Sequence, residues 1–153
     1  MNVEYINPFV TASFSVLEIV LSKAPVKGGL KMQPDVFTSQ KCNVVFGVTG
    51  EVGGSVIYGM SGTTALQIAG VMLGQPVKLF DKLAASAIAE LGNMICGNAL
   101  QLLSEAGYQC DITPPTIVNG QAQICTLSVP ALVMPIETGY GEMSLTVGLQ
   151  SRK

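Results

Sequence analysis

The fold of this chain is decided by the stretch Ser86-Ala-Ile-Ala-Glu90-Leu-Gly-Asn93-Met-Ile-Cys-Gly97-Asn98. Its spacing is that of a long α-helix, which at about 100° per residue places four residues within a stripe roughly 60° wide: Ser86, Glu90, Asn93 and Gly97. Apolar residues are predicted to cover the rest of the cylinder: Leu83, Ala84, Ala87, Ile88, Leu91, Met94, Ile95, Ala99 and Leu102. Such a helix is normally covered by its own protein, so we expect a core helix with one narrow polar edge.

The segments on either side of this helix predict an α+β fold. Asn7 and Pro8 are expected to cap and begin a first helix, which ends before Pro25. A strand over residues 30–33, a hairpin of residues 43–49 and 54–60, and a helix over 63–73 capped by Ser61 follow. The long helix is predicted over 79–105, and two strands over 121–134 and 142–150. This order predicts an antiparallel β-sheet with helices packed on one side, as a single domain over residues 1–153.

The composition excludes several functional classes. The eight Lys and Arg residues are scattered and the net charge is −2, so a nucleic-acid partner is not expected. There is no histidine, and the four cysteines have no CxxC spacing, which excludes zinc sites built from Cys and His and histidine-dependent catalysis. We expect the cysteines to be reduced and mostly buried.

The low content of charge points to a covered surface. Only 12% of residues are charged, about half the usual share, which favours a homo-oligomer or a regular partner. No apolar run is long enough to predict a membrane span, and the first residues do not resemble a secretory leader. The sequence therefore predicts a cytoplasmic protein that does not enter a membrane.

The polar edge of the long helix has two interpretations. The simpler one is a solvated edge of a core helix. Against it, Glu90 is the only acidic or basic side chain between Lys82 and Glu105, whereas solvated edges usually carry several. Serine, asparagine and glycine are also poor helix formers, so they lower the local stability of the helix. Such unfavourable residues cluster at sites where a partner docks. We therefore interpret the edge as a docking surface.

The pattern Ser86-x3-Glu90-x2-Asn93, followed by Gly97-Asn98, resembles the signature helix of the CheC/CheX/FliY phosphatases of bacterial chemotaxis. The resemblance extends to Asn7-Pro8-Phe9, to the strand from 54 to 58, to the helix after Ser61, to Pro114-Pro115-Thr116 and to Gly141-Glu142. Members with two sites carry a second Glu/Asn element on the first helix. Here Glu18 would need an asparagine at position 21, where Leu21 stands. One site per chain resembles the CheX branch, whose members are homodimers.

This resemblance implies an enzyme that hydrolyses the aspartyl phosphate of a phosphorylated CheY-type response regulator. The regulator would bring its own Mg²⁺ and lysine, so this chain would bind neither a metal nor a cofactor. Asn93 would hold the attacking water in line with phosphorus, as a glutamine does in some GTPases. Glu90 would pair with the lysine of the regulator. Ser86 and Gly97 would contact the regulator's surface.

Several alternatives remain open from the sequence. The Ser86 hydroxyl could bond back to its own helix, and Gly97 could serve packing against its own protein. Asn98 lies about 100° off the stripe and is expected to be structural. The helix could also be a non-catalytic docking module for a chemotaxis or flagellar-switch protein, or part of a purely structural dimer subunit.

Overall fold

The computed structural model describes residues 3–33, 36–38, 40–120, 124–126 and 130–152. Three helices lie within these ranges: α1 (Val3–Leu21), α2 (Gly62–Leu73) and α3 (Lys82–Glu105). Ten strands lie there as well: β1 (Val26–Lys27), β2 (Lys31–Gln33), β3 (Val36–Thr38), β4 (Cys42–Gly50), β5 (Val52–Met60), β6 (Cys110–Ile112), β7 (Thr116–Asn119), β8 (Ile124–Thr126), β9 (Ala131–Glu137) and β10 (Glu142–Ser151).

One antiparallel sheet organises the molecule. Its strand order is β1-β9-β10-β5-β4-β6, with β2 also paired to β9 and β7 also paired to β4. The central pairing joins the chain's end to its middle, because β10 runs along β5 from Met143 opposite Met60 to Ser151 opposite Val52. A separate two-stranded ribbon, β3 with β8, contacts β5 and β10.

The main core lies between the three helices and one face of this sheet. Alternate residues of the long strands point into it, as the two-residue period of a strand requires; on β4 these are Val44, Phe46 and Val48. From α3 the core receives Ile88, Leu91 and Ile95. A much smaller cluster around Ile57 and Ala131 lies apart from it. The predicted α+β fold, with helices on one side of an antiparallel sheet, is confirmed.

The ends of α2 and α3 follow from local side-chain chemistry. The Ser61 hydroxyl accepts a hydrogen bond from the Thr64 backbone N–H, and Gly74 ends α2 in the left-handed conformation with φ of 72°. The Asp81 carboxylate accepts from the Ala84 N–H, so α3 begins at Lys82 rather than at residue 79. The Ser61 cap predicted for α2 is confirmed.

The predicted start of α1 is wrong. The helix begins at Val3, so Asn7 is not its cap, and Pro8 lies inside the helix instead of at its first position. Pro8 has no N–H to donate to the carbonyl four residues earlier, which weakens the helix locally. The added turn places Tyr5 and Ile6 in the core. Burial of these two side chains outweighs the lost hydrogen bond.

Four of the five predicted strands are confirmed where the structure describes them. The hairpin of β4 and β5 turns at Glu51, and the strand predicted over 30–33 is β2. The single strand predicted over 121–134 is wrong in extent, because its described residues form two strands in different sheets, β8 and β9. Residues 121–123 and 127–129 lie outside the described residues. The short strands β1, β3, β6 and β7 were not predicted.

The buried sulfur-containing residues largely match expectation. Cys42 and Cys96 are buried free thiols, and Cys110 is a half-buried one. The side chain of Cys125 lies outside the described part of the structure.

By length and composition alone, α3 is long and apolar enough to cross a membrane, with a mean hydropathy of 1.2 over an 18-residue window. Core helices meet the same criteria, and α3 lines the core with a whole row of buried residues.

Candidate functional site

The outer edge of α3 carries all four residues of the predicted stripe. Ser86, Glu90, Asn93 and Gly97 are each exposed, while the opposite side of the helix is buried against the sheet. We call these four residues the α3 edge. Glu90 and Asn93 are three positions apart, which places them about 4.5 Å apart along the helix axis and on one face. The structure therefore presents an acid and a carboxamide side by side.

Gly92 sets the position of this edge. Gly92 lies between Glu90 and Asn93 in sequence and is buried. Its Cα faces Phe46 and Val44 of β4, which leave no room for a side chain. A larger residue at this position would hold α3 away from the sheet. The glycine thus lets the helix pack closely and fixes which side points outward. The sequence analysis did not single out Gly92, because only the packing reveals its role.

The polar side chains of the α3 edge have no partners within the described part of the chain. Neither Ser86, Glu90 nor Asn93 makes a side-chain hydrogen bond or an ion pair there. Ser13 on α1 shows the alternative, because its hydroxyl donates to the Phe9 carbonyl one turn back. The back-bonded arrangement considered for Ser86 is therefore absent. All three groups are available to an incoming molecule.

Gly97 has a different environment from Gly92. A Cβ added at Gly97 would meet no atom within 4 Å. Packing against its own protein, one of the two explanations considered for this glycine, is therefore excluded for the described residues. A glycine in an exposed helix costs roughly 1 kcal/mol relative to alanine. The structure offers no internal compensation for that cost.

Two apolar residues were assigned to the core and lie outside it. Leu83 is 54% exposed and Met94 is 37% exposed. On the helical wheel they lie within about 40° of Glu90, so Leu83, Glu90 and Met94 form one row beside Ser86, Asn93 and Gly97. Periodicity alone could not have shown this, because Met94 lies only about 20° from the buried Ala87 on the same wheel. The expectation that Met94 fills the core is wrong.

Asn98 lies away from the α3 edge, as its angle predicted. It is exposed, and its carboxamide makes no hydrogen bond to the part of the chain that the structure describes. No hydrogen bond among the described residues supports the structural role expected for it, and it lines a shallow groove with Ala12 and Ser15 of α1. Asn98 is thus an exposed carboxamide on the same helix, outside the stripe.

The donor set of the α3 edge does not suit a metal ion. Glu90 is its only carboxylate, and the described residues contain no group of three or more His, Cys, Asp or Glu side chains that could hold a metal. Mg²⁺ requires several oxygen ligands at short distance. The residues present therefore do not form a metal site of their own.

The edge also lacks an activated nucleophile. The nearest thiol in sequence is Cys96, which is fully buried, and burial raises the pKa of this thiol to about 12. It is therefore protonated at neutral pH and faces the core. What the α3 edge can supply is a carboxylate that accepts hydrogen bonds and a carboxamide that both donates and accepts. This suits positioning of a water or of a partner's cation.

Comparisons with known proteins agree with this geometry. A family model described as chemotaxis phosphatase CheX matches residues 42–137. The CheY-P phosphatase CheX of Thermotoga maritima is 34% identical over 122 residues, which cover 79% of this chain and 79% of that protein.

Two solved structures extend the comparison to nearly the whole chain. A CheC-like superfamily protein from Shewanella sp. PV-4 matches with a TM-score of 0.89 and 27% identity, covering 99% of this chain and 100% of that one. The CheX–CheY–BeF3–Mg²⁺ complex from Borrelia burgdorferi matches with a TM-score of 0.81 and 26% identity, covering 96% and 98%. This chain belongs to the CheX family of chemotaxis phosphatases.

Proposed function

We propose that this chain accelerates hydrolysis of the aspartyl phosphate on a CheY-type response regulator. The observation that carries the proposal is the α3 edge, where Glu90 and Asn93 lie one turn apart, exposed and without partners among the described residues. The relative from Thermotoga maritima is a CheY-P phosphatase, and the complex from Borrelia burgdorferi joins a CheX to a CheY. Both names support the same substrate class for this chain.

Asn93 holds the attacking water in this mechanism. Its carboxamide oxygen accepts a hydrogen bond from the water and its NH₂ group donates one to a phosphoryl oxygen. The water is thereby held in line with the P–O bond that breaks. Its oxygen attacks phosphorus, the aspartyl carboxylate leaves, and inorganic phosphate is released. Positioning of this kind contributes several kcal/mol of rate enhancement without an activated nucleophile.

Glu90 anchors the regulator. In this proposal its carboxylate pairs with the lysine of the regulator's active site, one helical turn from the point where Asn93 acts. Ser86 contacts the regulator's surface on the preceding turn, and Gly97 allows its backbone to approach α3 on the following one. The open space beside Gly97 supports this role.

The metal belongs to the regulator in this proposal. The α3 edge has too few oxygen ligands for Mg²⁺, and the Borrelia burgdorferi complex contains Mg²⁺ together with CheY and BeF3. Mg²⁺ in the regulator neutralises charge on the phosphoryl group. This chain then contributes only the water-holding carboxamide and the anchoring carboxylate.

We further propose that the protein acts in the cytoplasm as a homodimer of single-domain protomers, without binding nucleic acid or membranes. The low content of charged residues supports a covered surface between copies. The free thiols Cys42, Cys96 and Cys110 fit a reducing compartment. The molar mass in solution, measured by light scattering, tests the dimer directly.

The decisive experiment is decay of aspartyl phosphate on the CheY-type regulator of the same organism, with Mg²⁺ present. Parent protein is compared with Asn93→Ala, Glu90→Ala and the matched control Asn98→Ala, which removes a carboxamide from the same helix outside the α3 edge. We expect decay to accelerate with parent and with Asn98→Ala. Asn93→Ala should lose about 100-fold or more of the acceleration, and Glu90→Ala should mainly weaken binding.

Each other outcome has a definite meaning. If parent protein does not accelerate decay on any CheY-type regulator of the organism, the phosphatase function is wrong. If parent binds the phosphorylated regulator without accelerating decay, and Asn93→Ala binds equally well, the chain is the non-catalytic docking module. If parent neither accelerates decay nor binds the regulator, and Glu90→Ala and Asn93→Ala change nothing, the chain is the purely structural dimer subunit.

A further inference from the structure

We propose that Leu83 and Met94 form two apolar contacts on either side of Glu90, and that they seat against apolar side chains bordering the active-site lysine of the phosphorylated regulator. This inference rests on the proposed function and extends it from the reacting groups to the surface that selects the partner. The occupant is thus the regulator itself, at the site where it meets the α3 edge.

The first support is the position of these two side chains. Leu83 lies about 10 Å before Glu90 along the helix axis, and Met94 about 6 Å after it, on the same row. They are 54% and 37% exposed on a helix whose other large apolar side chains are mostly in or against the core. Single exposed apolar residues are common, but two that bracket the only charge of an edge are continuous with its proposed interface.

The second support is energetic. An ion pair that stays in water contributes little to affinity, since solvent and salt screen it. Glu90 therefore anchors a lysine effectively only if water is excluded around the pair. Apolar neighbours that close around a central contact do this in protein interfaces. Leu83 and Met94 lie at the two ends of the row, where contact with the regulator would exclude water from the Glu90 pair.

The third support is the lack of competing charge. Between Lys82 and Glu105, α3 has no acidic or basic side chain except Glu90. A charged residue in place of Leu83 or Met94 would lose hydration on docking, at a cost to binding. On the row itself Glu90 is the only charged group, although Lys78 and Asp81 lie beside Leu83 where α3 begins. Apolar fit along the row can therefore distinguish one regulator from another.

The test uses Leu83→Gln and Met94→Gln, because glutamine has nearly the helix propensity of leucine and methionine but a polar end. Leu30→Gln and Met32→Gln are the controls. These residues are 53% and 61% exposed, and Met32 lies on β2, which pairs with β9 on the far side of β10 and β5 from β4. Binding is measured by titration with the organism's CheY-type regulator loaded with beryllofluoride and Mg²⁺.

We expect each α3 variant to raise Kd about tenfold, as the loss of a partly buried apolar contact requires. The rate of dephosphorylation at saturating concentrations of protein should stay within about twofold of parent, because Asn93 is untouched. The affinity of both variants should also fall more steeply with salt than that of parent, since water then reaches the Glu90 pair. The two controls should bind as parent does.

The proposal is overturned if the α3 variants bind as tightly as parent, or if the controls weaken binding equally. A variant that binds normally but loses the saturated rate would also overturn it, because the residue would then act on the reaction and not on docking. If parent itself does not accelerate dephosphorylation, the proposed function fails first. These results are distinguishable because binding and turnover are measured separately.

Discussion

A Cβ added to Gly92 on α3 would lie 2.7 Å from Cζ of Phe46 on β4, well inside van der Waals contact. The same atom would lie 3.0 Å from Cγ1 of Val44. Glu90 and Asn93 are on either side of this glycine in sequence, so α3 packs tightly against the sheet at the turn that carries these two residues. The depth at which the helix packs and the direction of its two functional side chains are therefore set at one point.

The substitution Gly92→Ala should destabilise the protein although alanine is the better helix former. Relief of the clash with Phe46 requires the ring or the helix to move, and overpacking of this kind costs typically about 1–3 kcal/mol. Roughly 1 kcal/mol is regained from helix propensity. Urea unfolding should show a net loss of up to about 2 kcal/mol, with slower dephosphorylation of the regulator. An unchanged unfolding midpoint would show that the core absorbs the methyl group.

The buried hydroxyls of Tyr58 and Ser13 provide a second prediction. Their oxygens are 2.8 Å apart, and because the Ser13 hydroxyl donates to the Phe9 carbonyl, Tyr58 donates to Ser13. Ser13→Ala leaves the tyrosine hydroxyl buried without an acceptor, at a cost of about 1–3 kcal/mol. Tyr58→Phe removes a donor only and should cost about 0.5–1.5 kcal/mol.

A double-mutant cycle by urea unfolding checks this asymmetry. With Tyr58→Phe already in place, Ser13→Ala should cost much less than it does in the parent, since no polar group is left unpaired. Equal effects of Ser13→Ala in both backgrounds would contradict a shared hydrogen bond. Far-UV circular dichroism on each variant confirms that α1 is intact.

The thiol of Cys96 makes stability depend on alkaline pH. Burial raises its pKa from 9.0 to about 12, so the folded state keeps the proton that the unfolded state loses. The contribution of the protonated Cys96 thiol to the free energy of unfolding is fully present below pH 9 and is lost as pH rises from 9 toward 12. Burial also raises the pKa of Cys42 to about 11, with the same sign.

Urea unfolding of parent and Cys96→Ala between pH 7 and pH 10, under reducing conditions, measures this effect. The parent should be more stable at pH 7, because alanine leaves a small cavity. The difference between the two should narrow by about 1 kcal/mol between pH 9 and pH 10. A difference that stays constant over this range would show that the thiol does not ionise on unfolding.

The helices and the central hairpin could be predicted because their signals are local. Ser61 and Gly74 bound α2 through a side-chain cap and a left-handed residue, and both can be read from residue type alone. The short strands β1, β6 and β7 exist only through pairing with β9 and β4. Segments of two to four residues are too short for an alternation of apolar and polar residues to predict such pairing.

The candidate site was likewise predicted in its local features but not in those that depend on tertiary packing. Periodicity alone predicted that Ser86, Glu90, Asn93 and Gly97 share one exposed edge, and all four are exposed. It did not predict how wide the exposed sector is, so Leu83 and Met94 were placed in the core. The width of a buried stripe depends on the neighbours of the helix, which the residues of the helix do not specify. The need for glycine at position 92 likewise comes from Phe46, far away in sequence.

The substitution Gly97→Ala should separate stability from recognition. The added methyl group meets no atom of the protein within 4 Å, so the helix should gain about 0.5–1 kcal/mol on urea unfolding. The same methyl group projects from the α3 edge beyond Asn93. In the proposed complex it keeps the regulator's backbone from close approach, so affinity for the beryllofluoride-loaded regulator should fall severalfold.

Asn98→Ala is the matched control for this prediction. It also replaces a poor helix former on the exposed side of α3, and should raise stability by a few tenths of a kcal/mol. Because Asn98 lies outside the α3 edge, the regulator should bind this variant as it binds the parent. A more stable Gly97→Ala with full affinity would mean that the regulator does not approach α3 at that turn. In that case docking would be confined to the segment from Leu83 to Met94.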